Sequence, residues 1–252
     1  MSRWKEIDLS GAPAGGPVAF CADISPQSIA DAQRAGLYPF PAPTEEQALF
    51  NEAFFADRVE AGEVRLLGEG DPYAVAWCSP DPRAIVEAGA IRVSRSMRQA
   101  LRNKLAWTTT ADACFTRVVG ECAAGREPRW LTDGLAASLE RLHREGRAHS
   151  VEVWEGGELV GGVFGSRVGG VFTADSMFHR RPGASKVALF DLAARFAEAG
   201  GFAVDMQQEA ALGGLIGART LPRADYLELL EERAQDTGPL PADEREARRL
   251  AG

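Results

Sequence analysis

The sequence from residue 149 to residue 186, HSVEVWEGGELVGGVFGSRVGGVFTADSMFHRRPGASK, constrains the fold more than any other part of the chain. Polar and apolar residues alternate at its start, as they do in a half-buried strand. Glycine pairs at 156–157 and 169–170 suit tight turns, because glycine tolerates a positive φ. We therefore predict a three-stranded antiparallel meander that leads into a helix, with strands at Ser150–Trp154, Leu159–Ser166 and Val171–Ala174 and the helix at Ala184–Ala199.

Further helices are marked by Ser or Thr side chains that can cap the first backbone N–H groups of a helix. Residues of helical composition follow each of them, and Pro26 suits a first helical position. Composition alone predicts the last helix at Pro222–Gln235. The predicted caps are Ser25, Thr44, Ser94, Thr110 and Thr132.

Other segments are predicted to be extended or irregular. Three prolines between Pro39 and Pro43 predict a loop, since proline fixes φ and has no N–H to donate. Residues 237–252 are rich in charge with little apolar content, which predicts a loose tail. Short strands are predicted at Tyr73–Trp77, Ile91–Val93 and Phe202–Met206.

The charge of the chain limits the classes of partner. A net charge of −8 over 252 residues argues against a general nucleic-acid-binding protein. The segment from residue 83 to residue 104, however, contains six basic residues and only one acidic residue, Glu87. Arg95, Arg98 and Arg102 have helical spacing and share one face, so this stretch either contacts phosphates or forms a solvated helix face.

Composition also limits location and cofactors. No apolar run approaches the roughly 20 residues that span a bilayer, and the first residues lack the apolar core of a signal peptide, so we expect a cytoplasmic protein. Four dispersed cysteines without a CxxC pair favour buried thiols over a metal site.

Few groups in the sequence have the pattern of a reactive site. Nucleophile-elbow, P-loop and dinucleotide-binding motifs are absent from the sequence. The turn at Arg180–Ser185 enters a helix and could hold a pyrophosphate. Asp205 and Gln207 alternate at a strand end, where they either orient an attacking amine or form a structural hydrogen bond, and Asp175 either caps a turn or belongs to the site.

Many short blocks in a fixed order carry a resemblance to one family. They include WCSPDPR at Trp77–Arg83, SRSM at Ser94–Met97, HSVEVW at His149–Trp154, DSMF at Asp175–Phe178 and ASK at Ala184–Lys186. In these blocks the chain resembles the leucyl/phenylalanyl-tRNA–protein transferases, which move leucine or phenylalanine from charged tRNA to proteins that begin with Lys or Arg. The resemblance implies an α+β fold: a small α/β domain with an insert at 1–75, an acetyltransferase-like (GNAT) domain with a mixed sheet flanked by helices at 76–236, and the tail at 237–252.

The resemblance also implies partners and residue roles. The expected partners are an aminoacyl-tRNA and an acceptor amine, with no membrane, no cofactor and a monomeric protein. By position, Asp205 and Gln207 are the catalytic pair that orients the amine or relays its proton. Trp130 stacks on the terminal adenosine, and Arg83, Arg95 and Arg98 contact tRNA phosphates. The remaining substrate-binding positions that it implies are Phe40, Val163, Phe172, Asp175 and Ser176.

Departures from the family pattern keep other functions open. Asp175 replaces the usual Glu, Phe40 replaces a Trp, and Ala210 and Leu212 replace an Asn and a His. An insert of roughly residues 41–70 separates the first blocks. The alternatives are transfer to a small-molecule amine in biosynthesis, an acyl-CoA-dependent N-acyltransferase, and a non-catalytic binding module.

Overall fold

A computed structural model describes residues 2–125, 129–208, 214, 216–235 and 237–252. The fold is of the predicted α+β class, with a four-stranded and an eight-stranded sheet. In the described residues the α-helices are α1 (Pro26–Arg34), α2 (Glu45–Glu60), α3 (Arg95–Asn103), α4 (Phe115–Ala123), α5 (Asp133–Arg144), α6 (Ala184–Glu198) and α7 (Arg223–Glu232). None of these helices combines the length and the apolar character needed to cross a bilayer.

Four of the five predicted caps are confirmed. The hydroxyl of each accepts a hydrogen bond from the backbone N–H three residues later, at Ser25, Thr44, Ser94 and Thr132. The prediction for Thr110 is wrong, because this residue lies in a strand and α4 begins only at Phe115. Its hydroxyl instead donates to Glu152 on the neighbouring strand.

The first sheet has the strand order β2-β4-β1-β3. Its strands are β1 (Pro17–Phe20), β2 (Tyr38–Pro41), β3 (Arg65–Leu66) and β4 (Val75–Cys78). The predicted loop through Pro39 is wrong, because β2 is an edge strand and tolerates prolines whose missing N–H would face away from the sheet.

The second sheet has the order β11-β5-β10-β9-β8-β7-β6-β12. The meander β7-β8-β9 is antiparallel and leads into α6, as predicted, and α6 then crosses over to β10, which pairs parallel to β9. A predicted strand at Ile91–Val93 is wrong, since this segment is irregular. The strands are β5 (Arg83–Glu87), β6 (Trp107–Ala111), β7 (Ala148–Glu155), β8 (Glu158–Val168), β9 (Val171–His179), β10 (Ala203–Asp205), β11 (Arg219–Leu221) and β12 (Arg245–Glu246).

Helices flank both faces of this mixed sheet. Val163 of β8 is buried against α6, whereas the next residue, Phe164, is buried on the opposite face with α4 and α5. Gly161 lets α6 approach closely, because a Cβ there would lie 2.5 Å from the Cβ of Ala184. Along the chain, the last strand of the first sheet ends at Cys78 and the first strand of the second sheet begins at Arg83. The predicted domain boundary after residue 75 therefore falls within β4. The division of the chain into separate domains stays a prediction.

The structure corrects the expectation of a loose tail at 237–252. Arg245–Glu246 pairs with β6, and a 3₁₀ helix at Ala247–Ala251 buries both of its terminal alanines. The fully buried Arg195 of α6 also donates to the carbonyl of Pro241, at 2.6 Å. Backbone pairing and a few small apolar side chains therefore order a segment whose composition suggested otherwise.

We expect Arg195→Met to lower the free energy of unfolding by about 3 kcal/mol, because it removes one of the two arginines that pair with the buried carboxylate of Asp191 and leaves only Arg249. The matched control is Arg34→Met, whose ion pair with Asp31 is exposed and is worth at most about 1 kcal/mol. Urea unfolding of the three proteins measures both changes. Equal, small losses in the two variants would contradict a structural role for Arg195.

Candidate active site

Asp175 is the extra residue of a β-bulge in β9. Phe164 pairs with Ser176 and Gly165 pairs with Ala174, so Asp175 has no partner residue on β8. A bulge redirects a side chain and is often found beside an active site. Gly165 is required here, because a Cβ at this position would lie 1.9 Å from the carbonyl oxygen of Thr173.

The carboxylate of Asp175 is held by two donors. Ser166 Oγ donates to Oδ2 at 3.1 Å, and Gln207 Nε2 donates to Oδ1 at 3.1 Å. Burial raises the pKa of Asp175 to about 7, and the negative charge of Asp205 adds to this increase, while the two hydrogen bonds oppose it. Asp175 can therefore both accept and release a proton near neutral pH.

Asp205 lies at the end of β10 and is fully buried. Arg83 binds its carboxylate through two nitrogens, with Nε 3.0 Å from Oδ1 and Nη2 2.7 Å from Oδ2. The hydroxyl of Tyr226 donates to Oδ2 at 2.9 Å, and that of Thr173 donates to the same oxygen at 3.2 Å. Both of its oxygens therefore accept bonds from protein groups, and Asp205 does not line the cavity that contains Asp175.

Asp205 instead orients Gln207. The backbone N–H of Gln207 donates to Asp205 Oδ1 at 2.7 Å, and Gln207 has a φ of 63°, in the left-handed region. This conformation is uncommon for a residue with a side chain and costs energy that the surrounding bonds must supply. The chain thereby turns at the end of β10 and directs the amide of Gln207 to Asp175.

Asp175 and Gln207 line a cavity of about 200 Å³ between β2, α1 and α5. Phe40 and Trp130 also line it, with their rings stacked at 5.7 Å between centroids and an interplanar angle of 15°. The other lining residues are mostly apolar or aromatic, and they are Ile29, Gln33, Tyr38, Pro39, Leu135 and Leu139. The cavity therefore combines a largely apolar wall, three aromatic rings and the acid–amide pair of Asp175 and Gln207.

A larger cleft lies elsewhere in the molecule. It has a volume of about 960 Å³ and is lined by residues that include Trp4, Arg147 and Arg223, but neither Asp175 nor Gln207. Size alone would favour this cleft. We assign the site to the smaller cavity, because that one contains the acid with the shifted pKa and its amide partner.

Three predicted site residues have other positions in the structure. Arg83 is only 2% exposed and is engaged by Asp205, so it is not available to a tRNA phosphate. Val163 and Phe172 are fully buried in the core beside α6 and do not line the cavity. The prediction for Arg83 failed because its charge suggested a surface position, whereas a buried acid pairs with it.

The remaining predicted residues lie near the cavity or on the surface. Ser176 is buried beside Asp175, and its Oγ has no hydrogen-bond partner among the described residues. Arg95 and Arg98 are exposed on α3. Ala210 and Leu212 lie outside the described residues.

The turn at Arg180–Ser185 does not form an open pyrophosphate cradle. Arg180 pairs with Glu121, and Arg181 pairs with Glu155 at 3.0 Å. Ala184 and Ser185, at the start of α6, are buried, with Ala184 packed on β8. The two basic side chains therefore already pair with carboxylates, and the first residues of α6 are buried against the sheet.

Sequence reasoning missed several residues of the site. Leu135 and Leu139 have the spacing of a buried helical stripe, which predicts core positions and gives no sign of a cavity wall. Ser166 gave no signal, because its contact with Asp175 depends on the bulge. Tyr226 and Thr173 hold Asp205 from α7 and β9, and only the fold brings those elements together.

Comparison with known proteins identifies the chain as an aminoacyltransferase. A family model described as leucyl/phenylalanyl-tRNA protein transferase matches residues 85–231. The chain is 37% identical to the leucyl/phenylalanyl-tRNA–protein transferase of Chromohalobacter salexigens, over 86% of this chain and 75% of that one. It is 34% identical to the leucyl/phenylalanyl-tRNA–protein transferase of Thiobacillus denitrificans, over 92% of this chain and 90% of that one. The chain belongs to the leucyl/phenylalanyl-tRNA protein transferase family.

Solved structures give a weaker similarity. A GCN5-related N-acetyltransferase from Kribbella flavida aligns with a TM-score of 0.41 and 13% identity, over 83% of this chain and 76% of that one. A similarity at this level supports no argument about function.

We expect Gly165→Ala to lower the free energy of unfolding by about 2 kcal/mol or more, because the new Cβ would clash with backbone at the bulge. The matched control is Gly120→Ala in α4, where a Cβ meets nothing within 4 Å and should stabilise the helix by about 0.5–1 kcal/mol. Thermal and urea unfolding measure both. An unchanged free energy of unfolding in Gly165→Ala would contradict the close backbone approach at the bulge.

Proposed function

We propose that this protein transfers leucine or phenylalanine from an aminoacyl-tRNA to the amino terminus of an acceptor protein that begins with Lys or Arg. The supporting observation is the Asp175–Gln207 pair in an apolar cavity with Trp130 and Phe40, in a chain of this family. The names of the relatives supply the substrate class.

The reaction needs little covalent work from the protein. The amine nitrogen attacks the ester carbonyl carbon, an amide C–N bond forms, and the C–O bond to the tRNA ribose breaks. The attacking nitrogen loses a proton, and the departing ribose oxygen gains one. Because the ester is already activated, positioning and proton transfer supply most of the acceleration.

In this proposal Asp175 is the proton carrier. Its pKa of about 7 suits a group that takes the proton from the attacking amine and delivers it to the ribose oxygen. Gln207 donates to Asp175 through its amide nitrogen, which leaves its amide oxygen to accept a hydrogen bond from the amine. Asp205 acts through Gln207 as a positioning residue.

The aromatic pair is proposed to bind the tRNA end. Every nucleobase has a π-face, so Trp130 and Phe40 suit the terminal adenosine without base-edge recognition. Arg95 and Arg98, exposed on α3, are proposed to contact tRNA phosphates.

An assay that offers several charged tRNAs to an Arg-starting peptide and, separately, to small amines tests the whole proposal. Label on the peptide from leucyl- or phenylalanyl-tRNA supports it, whereas label only on a small amine would overturn the assigned acceptor.

We expect Trp130→Ala to weaken binding of the charged tRNA end by about 1–3 kcal/mol, which is the usual cost of removing a base-stacking ring. Trp154→Ala is the control, because Trp154 does not line the cavity. Binding of an aminoacylated tRNA fragment, measured by fluorescence titration, reports the difference. Unchanged affinity in Trp130→Ala would remove this residue from the site.

We expect Asp175→Asn to reduce the transfer rate by about 10²-fold or more, as for loss of a general base. In the wild type the rate should rise with pH through about 7, because the deprotonated carboxylate is the active form. Asp175→Asn should lose this rise. In the wild type the hydrogen bond from Ser166 lowers the pKa of Asp175. Ser166→Ala removes this bond, so the rise in rate should move to higher pH. Identical pH–rate profiles for wild type and Ser166→Ala would count against Asp175 as the base.

A further inference from the structure

The outer face of α2 carries an exposed apolar cluster, which we define as Leu49, Phe50, Ala53 and Phe54. The three large side chains are 63%, 60% and 65% exposed, respectively. The rings of Phe50 and Phe54 stack on each other with 6.0 Å between centroids and an interplanar angle of 14°. A cluster of exposed large apolar side chains is unusual for a soluble surface and indicates a binding site.

The inner face of α2 shows that this exposure is not a sign of poor packing. Phe55 contacts the ring of Phe20 at 5.5 Å between centroids, within a small core that includes Tyr73. Asn51 donates from Nδ2 to the carbonyl of Tyr73 at 3.1 Å. The helix is therefore anchored to the first sheet, and its outer face has a fixed position.

The charge around the outer face is strongly acidic. Residues 41–70 contain seven acidic side chains and only two basic ones, Arg58 and Arg65. Glu46 and Asp57 are exposed and lie four residues before and seven residues after Phe50, so they share its side of the helix. This combination fits a partner that carries both basic and apolar side chains, and it repels the phosphates of a tRNA.

The helix that carries this face begins a few residues after the candidate active site in the sequence. Phe40 lines the cavity and is itself 43% exposed, and α2 begins at Glu45, five residues later. The 16 residues of α2 span about 24 Å, which is the length of about seven extended residues. A peptide with its first residue at the cavity could therefore continue along this helix.

We propose that the outer face of α2 binds the segment of the acceptor protein that follows its amino-terminal residue, and that it selects segments with basic and apolar side chains. This inference depends on the proposed function, because it takes an acceptor polypeptide as the partner. It assigns a role to the insert at residues 41–70, and it places selection of the acceptor partly outside the cavity.

The test compares two acceptors: an Arg-starting dipeptide, and an Arg-starting peptide of about eight residues that contains Lys and Leu. For the wild type we expect a lower KM with the longer peptide. Phe50→Ser/Phe54→Ser should raise that KM about tenfold, as loss of an aromatic contact does at an interface, and leave kcat and the dipeptide KM unchanged. The matched control, Leu66→Ser, removes another exposed apolar side chain of the insert, on β3 at the sheet edge opposite β2, and should change neither KM.

A second variant tests the charge. Glu46→Gln/Asp57→Asn should raise the KM of the basic peptide and have no effect on an otherwise equal peptide with Ser in place of Lys. Equal wild-type KM values for dipeptide and longer peptide, or equal effects of Phe50→Ser/Phe54→Ser on both, would overturn the inference. Sedimentation of the wild type and of Phe50→Ser/Phe54→Ser tests for a second copy. If the wild type is a dimer, and the double Phe variant is a monomer with an unchanged KM, the outer face of α2 binds a second copy of the chain and the inference is overturned. Failure of the wild type with every peptide acceptor would overturn the proposed function itself.

Discussion

The buried ion pair between Arg83 and Asp205 is the interaction on which the candidate site depends. It joins β5 to β10, and Arg83 also donates to the carbonyl of Gly36 at 3.2 Å, just before β2. Two buried charges are stable only when their remaining hydrogen-bonding groups are satisfied, and here Tyr226 and Thr173 complete the network. Asp205 in turn holds the backbone of Gln207. The segment before β2 and the strands β5 and β10 must therefore come together before the side-chain amide of Gln207 can reach Asp175.

Two local irregularities then produce the acid–amide pair. The bulge in β9 exposes Asp175 to the cavity, and the left-handed turn after β10 brings Gln207 to it. Regular strands would have left both side chains in the alternating pattern of the sheet. The shifted pKa of Asp175 follows from this geometry, because partial burial beside a second carboxylate disfavours its charged form.

The insert adds a different kind of surface to this site. The cavity is small and its wall is largely apolar, whereas the outer face of α2 is exposed and aromatic, with the carboxylates of Glu46 and Asp57 on the same side of the helix. Such a division separates the chemistry, which needs a dry and rigid pocket, from recognition of a polypeptide, which needs area and charge. Phe40 lines the cavity, is partly exposed and lies five residues before the start of α2.

The sequence by itself determined the elements whose signals are local. The meander, α6 and the caps at Ser25, Thr44, Ser94 and Thr132 follow from alternation, turn glycines and hydroxyl side chains within a few residues of each other. The tertiary structure alone decided the role of Arg83, the ordering of residues 237–252 and the contact between Ser166 and Asp175. Each of these depends on pairing between residues far apart in the chain or on a register shift, and neither leaves a periodic pattern in the sequence.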